Sequence, residues 1–517
     1  MTINILWVDD EIDVLKPHII FLEHKGYIVD TATNGEDAIE MVQEKNFDII
    51  FLDENMPGIS GLEALKEIKK IKPHTPIVMI TKSEEENIME QAIGSKIADY
   101  LIKPVNPKQI LLSIKKNTQH SQLIENTTSS TYQSEFGKLS FDISQANSYA
   151  DWIDIYKKIV YWELELSSGD NQSMLEVINH QKNDANNEFA KFIKKNYRTW
   201  FEADEEDKPL LSHNIFKNKI FPLLDTEEKI CVIVIDNFRY DQWKVLEPKV
   251  NQFFDIKEEM YYSILPTATQ YARNAIFAGL MPLDIQKLFP QYWLNDEDEG
   301  GKNMFEEELL KTQIDRLAKK TPFVYEKITN SKQGKKIVSD INKYTNNKLT
   351  VFVYNFIDML SHARTEMDII KELASDEAAY RSLTQGWFDH SDLFDILKKL
   401  NESGIKVIIT TDHGTIKVNN PVKVIGDKNT STNLRYKLGR NLNYNKKEVF
   451  DIENPHEVHL PKTNISSSYI FACNNDYLVY PNNYNQFAAY YKNTFQHGGV
   501  SLEEMIIPFI TLSPNKK

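Results

Sequence analysis

The chain has 517 residues, of which 26% are charged and 41% hydrophobic, and its formal net charge is −15. This length gives room for about two to four domains that each bury a hydrophobic core. The negative net charge disfavours a broad basic face for duplex DNA, although it leaves room for a local basic patch. The composition is typical of an acidic soluble protein.

The cysteine count and the hydropathy pattern bear on the cellular compartment. The only cysteines are Cys231 and Cys473. Such low usage excludes a disulfide framework and a cysteine-rich zinc site, and it is typical of a reducing compartment. No long apolar span, signal peptide or lipidation motif occurs, so we expect a cytoplasmic protein that does not insert into membranes.

Residues 1–118 alternate between strand and helix patterns with short connections. Alternating units with right-handed crossovers predict a doubly wound (βα)5 sheet, with its chemistry at the carboxyl ends of the strands. A helix is predicted at Pro107–Lys116. The predicted strands are Asn4–Val8, Ile28–Thr31, Asp48–Leu52, Ile77–Ile80 and Asp99–Ile102.

Polar side chains stand where these predicted strands end. They are Asp9, Asp10, Asp53, Thr81 and Lys103. Clustered carboxylates repel one another unless they hold a hard cation, and Mg²⁺ accepts carboxylates while it keeps water ligands. With Mg²⁺ bound, an aspartate could attack a phosphoryl group, Lys103 would pair with the phosphoryl oxygens, and the Thr81 hydroxyl would reorient toward them.

This set of residues closely resembles a response-regulator receiver domain, which implies an upstream sensor histidine kinase. It also suggests a cis peptide bond between Lys103 and Pro104. The alternative is that the acidic residues only terminate strands. The resemblance implies Mg²⁺ ligands at Asp9, Asp10 and Asp53, the phosphoacceptor at Asp53, and switch residues at Thr81, Tyr100 and Lys103.

Residues 119–205 differ in character from the residues before them. Thr118–Ser134 is polar and rich in serine and threonine, which is typical of a linker or a loosely packed connection. Apolar residues then recur at helical spacing in Tyr149–Leu166 and Met174–Phe192, so we expect a helical bundle. The following aromatic residues are expected to be core anchors rather than stacking platforms for nucleic acid: Trp152, Tyr156, Trp162 and Trp200.

Residues 206–517 contain apolar runs that are associated with acidic or imidazole side chains. The runs are Ile230–Asn237, Leu349–His362, Lys406–Thr415 and Met505–Ile510. Buried parallel strands have this composition, and ligands collect at their carboxyl ends. Carboxylates beside neutral imidazoles suit a divalent transition metal, most naturally zinc. The candidate ligands are Asp236, Asp358, His362, Asp412, His413 and His497.

A turn in Ile264–Leu280 offers a candidate nucleophile. Pro266 fixes the start of the turn, and Thr267 and Thr269 stand where a helix would begin. A threonine there ordinarily caps the helix, but the free N–H groups and the helix dipole also favour a phosphate. Both interpretations stay open on the residues alone.

The order and spacing of these residues resemble those of the alkaline phosphatase superfamily, and the segment HGGVSLEEMIIP looks like its PglZ branch. The resemblance implies that Thr269 is the nucleophile. No side chain matches the clamp on the nonbridging phosphate oxygens, and Arg273 and Asn274 are the nearest candidates. Two zinc ions are implied, one held by Asp358, His362 and His497 and the other by Asp236, Asp412 and His413.

Two further segments contain ligand-type residues. Asn295–Lys302 is an acidic loop for which calcium is conceivable, but its spacing is not that of an EF-hand and we expect a solvated loop. His456 and His459 are three residues apart, so on a strand they would point to opposite faces. We therefore expect them to share no metal unless this segment is a helix or a turn.

A receiver joined to a PglZ-like domain resembles the PorX-type response regulators of gliding and type IX secretion systems. The resemblance implies phosphodiesterase activity on short linear or cyclic oligonucleotides and regulation of secretion genes. We also expect a phosphorylation-dependent homodimer. The predicted domains are the receiver at 1–118, the helical bundle at 119–205 and an α/β alkaline-phosphatase-like effector at 206–517.

Two alternatives belong to other classes of protein. The first is a metal-stabilised scaffold that binds a sigma factor or a secretion component without catalysis. A nucleophile beside a full ligand set argues against it, because a structural zinc site requires no nucleophile. The second is a DNA-binding transcription regulator, which is disfavoured because no helix-turn-helix with a basic recognition helix is recognisable.

Overall fold

The computed structural model describes residues 3–82, 97–118, 120–167, 172–204, 206–226, 229–317, 319, 321–366, 374, 376–427 and 430–515. The chain divides into two compact units, one that ends at Thr131 and one that contains Tyr132–Ser168 and Gln172–Lys517. Within the described residues, no helix has both the length and the apolar character that a membrane span requires.

The first unit contains a parallel sheet. Its strands are β1 (Asn4–Val8), β2 (Ile28–Ala32), β3 (Ile49–Asp53), β4 (Ile77–Thr81) and β5 (Asp99–Ile102). The strand order is β2-β1-β3-β4-β5, which confirms the predicted doubly wound sheet. Strands β3 and β4 are buried along their whole length, as their apolar sequences predict. The described helices of this sheet are α1 (Lys16–His24), α2 (Gly35–Glu44), α3 (Gly61–Ile71) and α4 (Pro107–Thr118).

The central segment is helical. Its helices are α5 (His120–Gln145), α6 (Tyr149–Ser167) and α7 (Gln172–Asn196). The polar stretch after Thr118, which was predicted as a linker or a loosely packed connection, is helical from His120. Serine and threonine lower helix propensity only slightly, and neither proline nor glycine interrupts the sequence before Gly137.

The helices α6 and α7 pack into the same hydrophobic core as the sheet that follows them. Trp152, Tyr156 and Trp200 are buried in this core together with strand residues such as Ile233. The predicted aromatic anchors are therefore core residues. The predicted boundary near residue 205 stays a prediction, because the core continues across it.

The second unit is built on a mixed sheet. Its strands are β6 (Ile230–Ile235), β7 (Phe254–Tyr262), β8 (Phe323–Ile328), β9 (Leu349–Tyr354), β10 (Lys406–Thr410) and β18 (Ile506–Pro514). The order is β7-β18-β10-β6-β9-β8. Strands β10, β6, β9 and β8 are parallel, whereas β18 runs antiparallel to β10 and β7. The segments that follow β6, β9 and β10 therefore meet at one edge of the sheet.

Helices surround this sheet, and the described short strands form three separate small sheets. The helices are α8 (Phe221–Asp225), α9 (Tyr240–Val250), α10 (Thr269–Ala278), α11 (Pro282–Leu288), α12 (Glu306–Arg316), α13 (Ser331–Ser339), α14 (Ile341–Thr345), α15 (Phe356–Glu366), α16 (Glu377–His390), α17 (Asp392–Glu402), α18 (Tyr484–Tyr491) and α19 (Leu502–Met505). The short strands are β11 (Ile416–Lys417), β12 (Asn420–Lys423), β13 (Tyr436–Arg440), β14 (Val449–Ile452), β15 (Ser467–Ala472), β16 (Asp476–Val479) and β17 (Phe495–Gln496). They pair as β11-β17, β12-β16 and β13-β15-β14.

Candidate active site and receiver site

Two clusters of potential metal ligands lie at the carboxyl edge of the parallel strands. Within each cluster, one potential ligand atom from each residue lies within 4.8 Å of the others. Together the clusters bring together the six residues that the sequence predicts as zinc ligands, in the two predicted sets. The first cluster is Asp236, Asp412 and His413, and the second is Asp358, His362 and His497.

Each of these candidate ligands lies just after a strand or on the helix that follows one. Asp236 directly follows β6, and Asp412 closely follows β10, which is the parallel neighbour of β6. Asp358 and His362 are four residues apart on α15, so they share one face of that helix. His497 directly follows β17, whose pairing with β11 holds it near the segment that contains the first cluster.

The first cluster is fully buried. His413 Nε2 lies 3.9 Å from Asp236 Oδ1 and 3.7 Å from Asp412 Oδ2. Asp412 Oδ1 accepts a hydrogen bond from Asn237 N at 3.3 Å, whereas Asp412 Oδ2 has no hydrogen-bond partner among the described residues. Arg273 Nε lies 3.6 Å from this oxygen, which is too far for a hydrogen bond. A buried carboxylate oxygen without a hydrogen bond is costly, so this arrangement fits a bound cation.

The second cluster is open on one side. His362 Nε2 lies 3.6 Å from Asp358 Oδ2, and the His362 side chain is 63% exposed. His497 Nε2 lies 3.8 Å from Asp358 Oδ1, and the His497 side chain is largely buried. A metal held here would be accessible to solvent from the His362 side, as a catalytic metal must be.

Backbone carbonyl groups fix the tautomers of the two buried imidazoles. His413 Nδ1 lies 3.0 Å from Gly414 O, and His497 Nδ1 lies 3.2 Å from Thr267 O. A carbonyl oxygen only accepts hydrogen bonds, so each Nδ1 carries the proton and each Nε2 presents a lone pair to the carboxylates. Burial lowers the pKa of both imidazoles to about 3, which keeps them neutral as metal ligands must be.

The ionised carboxylates of both clusters are disfavoured by burial, although the Arg273 guanidinium offsets part of this effect at Asp236. Burial raises the pKa of Asp236, Asp358 and Asp412, since each anion has lost water of hydration. Carboxylates and neutral imidazoles in two sets of three are the donor chemistry of zinc. The residues present therefore fit two zinc ions.

Thr269 begins helix α10 and directs its hydroxyl toward the first cluster. Thr269 Oγ1 lies 3.2 Å from Asp236 Oδ1 and 3.1 Å from His413 Nε2. The N-cap residue of this helix is Ala268, so Thr269 is not the cap that its position in the sequence suggested. Thr267 has a different role, because its hydroxyl accepts from Gly498 N at 3.1 Å in the segment that follows His497.

Arg273 and Asn274, the candidate substrate contacts, are both buried. The Arg273 guanidinium pairs with Asp236 Oδ2 at 2.9 Å and with Glu306 Oε1 at 3.0 Å. Asn274 Nδ2 donates to Lys302 O at 3.0 Å. These contacts engage the ligand Asp236 and the surrounding protein, and a contact of either residue with substrate stays a prediction.

Sequence reasoning missed two residues that support the ligands. Glu306 is buried and holds the Arg273 guanidinium that pairs with Asp236. Asn237 has a positive φ of 61° and donates to both clusters, through its backbone N to Asp412 and through Nδ2 to Asp358 Oδ1 at 3.5 Å. The sequence offered one indication of this role, an asparagine directly after the aspartate that ends a strand. Asparagine tolerates the left-handed backbone conformation that a sharp turn there requires.

The acidic pocket of the first unit lies at the carboxyl edge of its sheet. Potential ligand atoms of Asp9, Asp10 and Asp53 lie within 4.8 Å of one another. Lys103 Nζ lies 2.8 Å from Asp9 Oδ2 and 2.9 Å from Asp53 Oδ1. Burial raises the pKa of Asp53 to about 6, and the neighbouring Asp9 adds to this effect. The three carboxylates fit a hard cation such as Mg²⁺.

The predicted switch residues flank this pocket. Thr81 is buried, and its hydroxyl donates to Glu54 Oε2. Tyr100 is half-buried and packs against one of the two apolar clusters of the sheet. The peptide bond between Lys103 and Pro104 is cis, as predicted.

The remaining ligand-type segments form no metal cluster within the described parts of the chain. Asp296 of the acidic loop accepts hydrogen bonds from Tyr271 and Tyr436 instead. His456 belongs to a short 3-10 helix, and His459 Nδ1 lies 3.1 Å from Asp284 Oδ2. The segment is therefore a helical turn and not the strand on which the prediction of opposite faces was based, and whether the two histidines share a metal stays a prediction.

A receiver-type sheet with an acidic pocket, followed by an α/β domain with two ligand clusters, is the organisation of a response regulator with a phosphatase-like effector. Protein-family models agree. They match a response regulator receiver domain at residues 5–115, a PorX response regulator linker domain at 122–201 and a BREX system PglZ alkaline phosphatase-like domain at 215–512. The last match spans more than half of the chain, which therefore belongs to the PglZ alkaline phosphatase-like family and has the domain order of a PorX-type response regulator.

Curated relatives match about a quarter of the chain. The transcriptional regulatory protein ResD of Bacillus subtilis is 38% identical over 112 residues, which are 22% of this chain and 46% of ResD. The transcriptional regulatory protein ZraR of Klebsiella oxytoca is 35% identical over 135 residues, which are 26% of this chain and 30% of ZraR. The chain thus spans less than half the length of each.

Solved structures match a similar share of the chain. The chemotaxis response regulator CheY4 of Vibrio cholerae is 30% identical, with a TM-score of 0.22, over 22% of this chain and 98% of that one. A CheY-like receiver domain protein from Methanospirillum hungatei is 26% identical, with a TM-score of 0.23, over 23% of this chain and 96% of that one.

Proposed function

We propose that this response regulator hydrolyses phosphodiesters in its effector domain with two zinc ions, and that short linear or cyclic oligonucleotides are its substrates. The observation that carries the proposal is the position of Thr269 Oγ1, 3.2 Å from Asp236 and 3.1 Å from His413. A hydroxyl so close to a ligand cluster is suited to activation as a nucleophile.

The two clusters would each hold one zinc ion. Bound zinc supplies positive charge that lowers the pKa of a hydroxyl or a water and stabilises a phosphoryl transition state. Arg273 and Glu306 keep Asp236 oriented through buried ion pairs. The exposed His362 leaves the second cluster open to substrate and water.

The reaction proceeds in two displacements at phosphorus. Thr269 Oγ1 attacks the phosphorus and loses its proton to solvent, while the bond from phosphorus to the first alcohol breaks and that alcohol takes up a proton. A water molecule then attacks the same phosphorus, the bond to Thr269 Oγ1 breaks, and the threonine hydroxyl is restored. The products are one alcohol and one phosphomonoester.

The receiver domain would control this activity. A receiver implies a cognate sensor histidine kinase, and Asp53 would accept the phosphoryl group. As in the regulators that the chain resembles, the output would regulate type IX secretion genes, with a sigma factor or a secretion component as a further partner. The two carboxylates beside Asp53 and the nearby Lys103 support this proposal.

The test is hydrolysis of bis-p-nitrophenyl phosphate by chelator-stripped and zinc-reconstituted protein, together with two variants of one residue. Thr269→Ala removes the hydroxyl and should lower kcat at least about a thousandfold. Thr269→Ser keeps a hydroxyl and should retain measurable turnover. The zinc content of each protein is measured in parallel, because Thr269 is not a ligand and both variants should bind zinc.

Two outcomes would contradict the proposal. Turnover in Thr269→Ala equal to that of the parent would exclude Thr269 as the nucleophile. A parent protein that binds two zinc ions without any turnover would favour the scaffold, and capture of its binding partner would become the next experiment.

A further inference from the structure

A cavity of about 520 Å³ in the second unit is lined in part by Gln270, the residue that follows the candidate nucleophile Thr269. Its lining is mainly polar and includes Gln270, Asp296, Glu297, Asn433 and Tyr436. A polar cavity of this size next to a reactive group is where a substrate would place the portion that determines specificity.

Two separate segments connect this cavity to the candidate active site. Gln270 directly follows Thr269 on helix α10. On the other side, Gly498 follows the ligand His497, and a Cβ atom built there would lie 2.7 Å from Tyr436 Cδ1 and 3.0 Å from Asn433 Oδ1. Residues adjacent in sequence to Thr269 and His497 therefore line or approach the cavity.

The carboxylate of Asp296 is held in a fixed orientation at this cavity. Tyr271 donates its hydroxyl proton to Asp296 Oδ1 at 3.1 Å, and Tyr436 donates to Asp296 Oδ2 at 3.0 Å. Each carboxylate oxygen has a second lone pair, so both oxygens can accept a further hydrogen bond. Burial raises the pKa of Asp296, and the hydrogen bonds from Tyr436 and Tyr271 oppose this shift and favour the anion.

The net negative charge of the cavity disfavours a phosphate and favours a group that donates hydrogen bonds. Asp296, Glu297 and Lys302 all line the cavity, so two carboxylates face one ammonium group, which also donates to the backbone oxygen of Asp298. A second phosphate would be repelled by the two acids. An uncharged group with paired N–H donors would instead match the two oxygens of Asp296.

Among the nucleobases, guanine presents such a pair on its Watson–Crick edge, because N1–H and the N2 amino group are adjacent. Adenine and cytosine present one amino group beside a ring nitrogen that accepts, and uracil presents one N–H between two carbonyl oxygens. An acceptor-only carboxylate discriminates among these edges.

We propose that this cavity is a guanine-binding subsite, in which Asp296 accepts hydrogen bonds from N1–H and N2–H of a guanine whose phosphodiester is cleaved at Thr269. The proposal rests on the proposed phosphodiesterase function and names the base that it selects. Asp296 is thus a specificity-determining residue and has no part in the bond-breaking steps.

The test compares three dinucleotides on the zinc-loaded full chain: GpG, IpI and UpU. Hypoxanthine, the base of inosine, lacks only the N2 amino group, so the pair GpG and IpI isolates one donor without any change to the protein. We expect kcat/KM for GpG to exceed those for IpI and UpU by at least about tenfold each. Equal values for the three substrates would overturn the subsite.

Binding of mononucleotides gives a readout that does not depend on turnover. GMP should bind the zinc-loaded protein at least about tenfold more tightly than IMP or UMP in calorimetry. Equal affinities, or no binding of GMP, would overturn the subsite. Failure of the proposed function looks different, because bis-p-nitrophenyl phosphate would then also remain unhydrolysed.

Two substitutions test whether Asp296 is the residue that distinguishes GMP from IMP. Asp296→Asn keeps the side-chain volume but replaces one acceptor oxygen with an NH2 group, so the preference of GMP over IMP should fall about tenfold. Glu299→Gln is the matched control, since Glu299 is exposed on the same loop and does not line the cavity. A preference that survives in Asp296→Asn would assign the recognition to another residue and overturn the proposal.

Discussion

His213 makes the effector domain sensitive to acid. It lies in a short 3-10 helix, and its Nδ1 is buried without a hydrogen-bond partner among the described residues. Burial lowers the pKa of His213 to about 4, and the nearby Lys208 adds to this shift. The neutral imidazole is therefore favoured by the folded state.

The sign of the pH effect follows from the two protonation states. An unfolded histidine has a pKa of about 6.5, so between pH 6.5 and 4 the unfolded chain binds more protons at this residue. The free energy of unfolding should fall as the pH is lowered through this window. In His213→Asn this fall should be about 2 kcal/mol smaller, as measured by urea unfolding at pH 7 and pH 4.5. If the free energy of unfolding fell equally with pH in the parent and in His213→Asn, His213 would not be the group responsible.

Thr267 and Thr269 show what the sequence could and could not predict at the candidate site. Both threonines stand where a helix was expected to begin, and residue type alone does not separate a cap from a nucleophile. Their hydroxyls have different partners because of chain segments far away in the sequence: Gly498 for Thr267, and Asp236 and His413 for Thr269. Only the resemblance to a known family selected Thr269 in advance.

At the scale of elements, helix α7 supports the segment next to the metal ligands. Lys182 Nζ lies 3.3 Å from Glu163 of α6 and 3.1 Å from Glu503 of α19. The neighbour of Glu503, Glu504, accepts a hydrogen bond through its backbone oxygen from Gly414, which follows the ligand His413. The central helices therefore form part of the framework of the candidate active site.

The buried position of Lys182 predicts a large effect of its removal. Lys182→Met leaves Glu163 and Glu503 buried without this cation, which should lower the free energy of unfolding by about 3–5 kcal/mol. Lys191→Met on the same helix is the control, because Lys191 pairs with Glu188 at the exposed surface and should change stability by less than about 0.5 kcal/mol. Urea unfolding measures the free energy of unfolding of both variants. Similar decreases in Lys182→Met and Lys191→Met would refute the distinction between the buried and the exposed lysine.

The strands were predictable from the sequence because their apolar runs are long and uninterrupted. Ile230–Ile235 and Leu349–Tyr354 are buried along their whole length, and the acids that follow them are at the expected edge. The ion pairs of Lys182 and Arg273 were not predictable, because a lysine or an arginine within a helix is usually solvated. Their partners lie on elements that become neighbours only in the folded chain.

At the scale of the whole molecule, the domain order predicts regulation by phosphorylation. Acetyl phosphate should phosphorylate Asp53, change the association state of the protein and change its rate of diester hydrolysis. Asp53→Asn should show neither change, since it lacks the phosphoacceptor but keeps the volume of the side chain. Light scattering and the hydrolysis assay measure the two effects. Unchanged association and unchanged hydrolysis in the parent protein would exclude the coupling.

Asn237 would couple the binding of the two proposed metal ions. Its backbone donates to Asp412 of one cluster and its side chain to Asp358 of the other. The first ion to bind would fix the conformation of Asn237 and, through it, a ligand of the second ion, so the second binds with less loss of conformational entropy. Calorimetric titration of metal-free protein should then show positive cooperativity, and Asn237→Ala should bind the two ions independently. Molecules with a single zinc ion would be scarce. When zinc is limiting, the population would consist of molecules with two ions and molecules with none.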